Sequence, residues 1–202
     1  MKAHQFSSRP GQAAAGALTV LAALLLAACS GSGGGSTASS PPTSTAAGPT
    51  VSSAAAITVR SPAFGAGAMI PVRFSCRGSN TPIPLAWAGI PAGAASVALI
   101  MDDPDAPSGT FTHWVVFNLP VTSRGIANGR LPAGAAQAQN GRGQAAYTGP
   151  CPPSGTHHYR FTVYAEPRKL PLQAGASLTD ALAAIRANPL ASGRLTGLFA
   201  SG

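Results

Sequence analysis

Acidic side chains are scarce in this chain of 202 residues, yet three of its five acids lie within four positions: Asp102, Asp103 and Asp105. They follow a hydrophobic run, Ser96–Met101, that predicts a β-strand. Two prolines make the segment a stiff turn, and a cis peptide bond before Pro107 is one option. Carboxylates fixed at a strand end can orient an imidazole, although an Asp-rich turn is more often only solvated.

A histidine begins the next predicted strand, Thr112–Leu119. Strand alternation places His113, Val115, Phe117 and Leu119 on one apolar face. A single histidine there is more often a satisfied core residue than a ligand-binding group. Both interpretations of His113 therefore stand at this point.

The third segment with chemical potential is a stiff loop, Gly149–Tyr159, with the sequence GPCPPSGTHHY. It leads into a strand predicted over His158–Ala165, and His157 lies at the mouth of that strand. Alternation groups four side chains on one face of the strand: Tyr159, Phe161, Val163 and Ala165.

Together, these segments resemble the phosphatidylethanolamine-binding protein family, in its bacterial Raf kinase inhibitor-like branch. The resemblance rests on ALIMDDPDAPSGTFTHWVVFNLP at residues 98–120, on the loop 149–159, and on Cys76-x-Gly78 followed by Pro84-Leu85-x-Trp87. It covers residues 57–199. It implies a mainly β fold of two packed antiparallel sheets with one or two short helices, one of them near the C-terminus, and a small anion pocket at one end.

Carried over onto matching positions, the resemblance implies a pocket built from nine residues: Asp103, Asp105, His113, Gly149, Pro150, Pro152, Pro153, His157 and Tyr159. Asp102 is not a pocket residue in the family. A carboxylate beside an imidazole raises the imidazole pKa, so the ring can donate to a phosphoryl oxygen as a cation. The Tyr159 hydroxyl and backbone N–H groups of the loop would add donors. No Lys or Arg lies inside the motifs, which favours a zwitterion or a monoanion over a multiply charged phosphate.

Three functions remain open. The first, which the pocket favours, is binding of small phosphorylated molecules or phospholipid head groups, without a cofactor or metal. The second is inhibition or regulation of a partner protein such as a protease or kinase, since the family includes such members. Catalysis is the weakest, because there is no G-x-S-x-G motif and no metal-ligand spacing, although His157, His158 and Asp103 could bind zinc adventitiously.

The first 56 residues predict export. Residues 1–12 carry two cations and no acid, and residues 13–28 form an apolar stretch typical of a signal peptide. The segment Leu26-Ala27-Ala28-Cys29 resembles the lipobox of bacterial lipoproteins, which implies cleavage before Cys29 and lipid attachment to it. Residues 30–56 contain Ser, Ala, Gly, Thr, Pro and one Val, and predict a flexible tether with a reach of roughly 30 Å. The folded domain is then residues 57–202, held on the extracytoplasmic face of a cell membrane.

Two cysteines remain after Cys29, namely Cys76 and Cys151. In an exported protein they predict one disulfide, with two buried free thiols as the alternative and metal ligation less favoured. The formal charge of +8 suggests a nucleic-acid partner at first. The cations are spread thinly rather than clustered, so no nucleic-acid partner is expected.

The remaining periodicity predicts further strands and one helix. The additional strands are Ile57–Arg60, Met69–Phe74, Leu85–Trp87 and Arg194–Phe199. Ser177 is a good helix N-cap with Asp180 three residues later, and Asn188-Pro189 ends the helix. Its apolar stripe is Leu178, Ala181, Leu182 and Ile185. The segment Gly125–Tyr147 has weak periodicity and is expected to be a long loop.

Overall fold

A computed structural model describes residues 56–127 and 129–202 of the chain. The signal peptide predicted over residues 1–28, Cys29 and nearly all of the predicted tether lie outside these residues. Within them, two antiparallel sheets face each other, as the resemblance implied.

The strands alternate with turns rich in Gly and Pro. They are β1 (Thr58–Arg60), β2 (Leu85–Ala88), β3 (Ser96–Asp103), β4 (Phe111–Leu119), β5 (Gly125–Ile126), β6 (Ala136–Gln137), β7 (Thr156–Glu166) and β8 (Ala191–Ala200). The small sheet has the order β1-β2-β5 and the large sheet the order β6-β4-β3-β7-β8. Strand β3 is buried along its whole length because it lies at the centre of the large sheet.

Two apolar layers cover the two faces of the large sheet. The inner layer packs against the small sheet and contains Trp87, Trp114 and Phe161. All four residues predicted to share a face of β7 belong to it: Tyr159, Phe161, Val163 and Ala165. The outer layer, which contains Ile100 and Phe117, is covered by a helix.

That helix is α1 (Leu178–Ala187), and the sequence predicted both of its ends. The backbone N–H of Asp180 donates to Ser177 Oγ at 3.1 Å, which satisfies one of the free donors of the first turn. Asn188 is the C-cap. Ala181 and Ile185 are fully buried against the large sheet, so the predicted stripe is the packing face.

Two local predictions were wrong, and one option that the sequence left open did not hold. Met69–Phe74 is not a strand: Met69 forms an isolated bridge, and Val72–Phe74 is one turn of 3-10 helix. Pro71 explains this, since it has no N–H for a sheet ladder and its φ of −61° suits the start of a helical turn. The long loop Gly125–Tyr147 contains the two short strands β5 and β6. Among the described residues, no peptide bond is cis, so the one before Pro107 is trans.

The predicted face of β4 was also wrong, because two bulges interrupt its alternation. Met101 pairs with Trp114 but Asp102 pairs with Thr112, so His113 is an extra residue. A second irregularity precedes Leu119. Val115 and Phe117 therefore face the outer layer, whereas Leu119 faces the inner layer. Because His113 is the extra residue of the first bulge, the direction of its side chain does not follow the alternation of the strand.

Candidate functional site

A cavity of about 180 Å³ opens where β3 and β7 meet the loops beside them. Its lining includes seven of the nine predicted site residues: Asp103, His113, Gly149, Pro152, Pro153, His157 and Tyr159. These residues come from three separate segments of the sequence, and antiparallel pairing of β3 with both β4 and β7 brings the segments together.

Asp103 fixes the acidic turn and one histidine at the same time. Its Oδ1 accepts from the backbone N–H of Asp105 at 2.9 Å, which closes the turn after β3. Its Oδ2 lies 2.8 Å from Nδ1 of His157, and both side chains are buried. A carboxylate accepts here, so Nδ1 of His157 carries the proton and the orientation of the ring is set.

One hydrogen bond and two aromatic contacts hold the ring of His113 in place. Its Nδ1 donates to the backbone carbonyl of Thr148 at 2.8 Å. Its ring makes edge contacts with Phe111 and Tyr159, at centroid distances of 4.8 and 5.2 Å. Burial lowers the pKa of His113 and outweighs the opposing effect of Asp103. The expectation that a nearby Asp makes this ring a cation is therefore wrong for His113: the neutral ring keeps its proton on Nδ1, and Nε2 is an acceptor.

Tyr159 carries the most unusual polar atom of the site. Its side chain is fully buried, and among the described residues its hydroxyl makes no hydrogen bond of good geometry, although the backbone of Cys151 and the carboxylate of Asp103 are close enough to influence its pKa. Burial, with the charge of Asp103 nearby, raises its pKa, so the hydroxyl remains protonated at neutral pH. A buried O–H that lines a cavity and lacks a partner costs free energy until a ligand or water accepts from it.

A disulfide bond holds the loop 149–159, which forms one wall of the cavity. Cys76 and Cys151 form a disulfide with a Cα–Cα distance of 5.5 Å, which resolves the choice between a bridge and free thiols. Gly149 is required beside it, because a Cβ there would lie 2.2 Å from the carbonyl oxygen of Phe74. The backbone N–H of Gly149 donates to Asn80 Oδ1 at 2.8 Å. This N–H is therefore not free to donate to a ligand, contrary to what the resemblance led us to expect.

Residues 60–200 match the family described as phosphatidylethanolamine-binding protein. The chain belongs to this family. An archaeal relative, a UPF0098 protein of Methanothermobacter thermautotrophicus, is 48% identical over 128 residues, which cover 61% of this chain and 85% of the relative. The "Putative lipoprotein LppC" of Mycobacterium tuberculosis is 45% identical over 122 residues, and the match spans 59% of this chain and 60% of that protein.

A solved structure of the family shares the fold. The structure of Escherichia coli YbcL, described as a new member of the mammalian family, superposes with a TM-score of 0.68 at 32% identity. The superposition covers 73% of this chain and all of the YbcL chain. The two-sheet architecture and the α-helix near the C-terminus described above are therefore those of the family.

Two of the nine predicted site residues do not line the cavity. Asp105 turns outward and accepts from both the backbone N–H and Nδ1 of His158, at 2.7 and 2.8 Å, and these bonds lower its pKa. Pro150 is buried, and its carbonyl accepts from the backbone N–H of Cys76. Asp102 faces away from the cavity and makes a bidentate ion pair with Arg160 at 2.7 and 2.9 Å.

The sequence did not reveal one charged residue of the cavity. Arg142 lines it, although it lies in the segment expected to be a featureless loop. Two hydrogen bonds place that segment: the backbone N–H of Gly141 donates to the carbonyl of Thr112, and the N–H of Arg142 donates to Asn140 Oδ1. The second bond is a local Asx turn that Asn140-Gly141 could signal, but the first joins residues 29 positions apart and has no local sequence signal. The motifs contain no Lys or Arg, but the folded chain places Arg142 at the cavity.

Phe111 and Thr148 also line the cavity and were not predicted. In the described part of the chain, no group of three or more His, Cys, Asp or Glu side chains is placed to hold a metal ion. His157 and His158 have separate carboxylate partners, Asp103 and Asp105. None of the described helices is both long enough and apolar enough to span a membrane.

Proposed function

We propose that this protein binds the phosphoryl group of a small phosphorylated molecule or phospholipid head group, and that a lipid on Cys29 tethers it to a membrane. The observation that carries the binding proposal is the buried, unpartnered hydroxyl of Tyr159 in a cavity that also presents two histidines and an arginine. Small-ligand sites typically combine an apolar wall with a few convergent polar groups of this kind.

The polar groups favour an anion with one remaining proton. Arg142 supplies a positive charge, and the Tyr159 hydroxyl supplies a donor. Nε2 of neutral His113 is an acceptor, which a P–OH group satisfies and a fully deprotonated phosphate does not. Asp103 adds a negative charge that repels a dianion further. A phosphate with one negative charge fits this set better than a dianion: a monoester in that state keeps a P–OH group for Nε2, whereas a diester shares only the single charge.

Tyr159→Phe tests the binding proposal, because it removes only the orphan hydroxyl. We expect affinity for inorganic phosphate and for phosphoethanolamine to fall about 10- to 100-fold, which is the usual effect of losing a hydrogen bond to a charged group. The free energy of unfolding should not fall, since the hydroxyl has no partner among the described residues. Titration calorimetry and urea denaturation of the full-length chain measure the two quantities.

Tyr164→Phe is the matched control. Tyr164 lies on the same strand but packs against the outer apolar layer, away from the cavity. This variant should bind both ligands as the wild type does. Absence of phosphate binding by the wild type, or equal loss in both variants, would contradict the proposal.

The tether is tested separately. The relative named as a lipoprotein and the lipobox-like sequence before Cys29 both support lipid attachment. We expect the full-length chain to remain with membranes after carbonate washing and Cys29→Ala to be released, since acyl chains at this residue supply the membrane affinity. Ser30→Ala is the control and should stay membrane-bound. Retention of Cys29→Ala on the membrane would refute the tether.

A further inference from the structure

A second cavity, of about 190 Å³, lies beside the first. The two cavities share Arg142 and Thr148, and each takes one cysteine of the same disulfide: Cys151 lines the first and Cys76 the second. The two cavities therefore adjoin the same disulfide, and Arg142 lines both. A ligand that contacts Arg142 in the first cavity therefore lies next to the second.

The second cavity differs chemically from the first. Phe111, Pro107, Pro152 and Pro153 give the first cavity an apolar wall. The second is lined by polar side chains and part of the disulfide: Cys76, Asn80, Arg142, Gln144, Tyr147 and Thr148. Its volume is more than ten times what a single water requires, so it can hold a group of several heavy atoms. An acyl chain would leave these polar groups unsatisfied, which disfavours a lipid tail there.

The free hydrogen-bonding groups of this cavity suit hydroxyls. Asn80 uses Oδ1 to accept from Gly149, so its Nδ2 is the group left for a ligand. The backbone N–H groups of Arg142 and Gln144 donate to Asn140 Oδ1, which fixes the loop while both side chains remain exposed. The Tyr147 hydroxyl donates to the carbonyl of Phe74 and can still accept. Amide, guanidinium and phenol groups together match the mixed donors and acceptors of a polyol.

The charges argue against an ammonium group. The described lining of the second cavity contains no carboxylate, and Arg142 is a fixed cation within it. The carboxylate of Asp103 lines the first cavity and not the second. A positively charged group that extends into the second cavity would therefore meet Arg142 there without a carboxylate in the lining to offset it.

We infer that the second cavity binds the polyhydroxylated remainder of the ligand, so that the preferred ligand is a singly protonated phosphate monoester of a polyol or sugar. This inference rests on the proposed phosphoryl-binding function. It assigns Gln144 and Asn80 to specificity, and Arg142 to contact with both parts of the ligand.

Calorimetry with three probes tests the inference on the full-length chain: inorganic phosphate, phosphoethanolamine and ribose 5-phosphate. We expect ribose 5-phosphate to bind about tenfold more tightly than phosphoethanolamine. Gln144 is exposed and lies outside the first cavity. Gln144→Ala should lower the affinity for ribose 5-phosphate at least threefold. Its affinity for inorganic phosphate should remain within twofold of the wild type. Gln173→Ala is the matched control, at an exposed glutamine that lines neither cavity, and should change neither affinity.

The outcomes separate the two proposals. Failure of all three probes to bind would overturn the phosphoryl-binding function and the inference with it. Binding of phosphate with phosphoethanolamine as tight as ribose 5-phosphate would overturn the inference alone. Tight binding of ribose 5-phosphate that Gln144→Ala leaves unchanged would also overturn it, because the sugar would then lie outside the second cavity.

Discussion

Replacement of both Cys76 and Cys151 by serine is expected to lower the free energy of unfolding by about 4 kcal/mol. The bridge joins residues 75 positions apart, and cross-links that close long loops remove much conformational entropy from the unfolded chain. A domain of this size is typically stable by about 5–15 kcal/mol, so the loss is a large fraction of the total. Urea denaturation of the full-length wild type and the double variant measures it.

The double serine replacement should weaken ligand binding less than it lowers the free energy of unfolding. The two bridged segments are also joined by the N–H of Cys76 donating to the carbonyl of Pro150 and by the N–H of Gly149 donating to Asn80. These bonds hold the loop in the folded state without the bridge. Wild-type protein in reductant serves as the control and should lose the same free energy. An unfolding midpoint that moves in neither case would contradict the prediction.

Most of the fold could be predicted from local signals. The cap at Ser177, the apolar stripe of α1 and the alternation along β7 depend on neighbouring residues, and each was confirmed. Bulges cannot be found by counting alternation, because an extra residue is accommodated through pairing with another strand. The face of β4 was predicted wrongly for this reason, at both irregularities.

The same distinction between local and long-range signals applies to the candidate site. Asp103, His113, His157 and Tyr159 lie in recognisable motifs, and the structure brings all four to one cavity. Arg142 reaches that cavity because a local Asx turn at Asn140 is combined with a long-range hydrogen bond from Gly141 to Thr112, and the second has no sequence signal. The lowered pKa of His113 likewise follows from burial, which a motif does not encode. Whether the motif residues bind a ligand remains a prediction.

Glu166→Gln is expected to stabilise the protein at alkaline pH by about 2 kcal/mol. Glu166 is only 2% exposed, and its Oε1 has no hydrogen-bond partner among the described residues. Burial raises its pKa from 4.5 to about 7, with Arg168 opposing the shift. The native state therefore keeps a proton that the unfolded chain has lost, so stability falls as pH rises from about 4.5 to about 7. The full cost is about 3 kcal/mol, and imperfect pairing of the new amide removes part of the gain.

Urea denaturation at pH 4, 6 and 8 tests the sign of this effect. Below pH 4.5 the carboxyl is protonated in both states, so the variant should be about 1 kcal/mol less stable than the wild type there, through the imperfect pairing of its amide; the difference should change sign as the pH rises and reach its full size by pH 8. Asp180→Asn is the matched control, because it removes an exposed carboxylate from the N-terminus of α1, where a negative charge is favourable. That variant should be no more stable than the wild type at pH 8. A stabilisation by Glu166→Gln that is the same at pH 4 and pH 8 would mean that packing, rather than ionisation of the buried carboxyl, sets the difference.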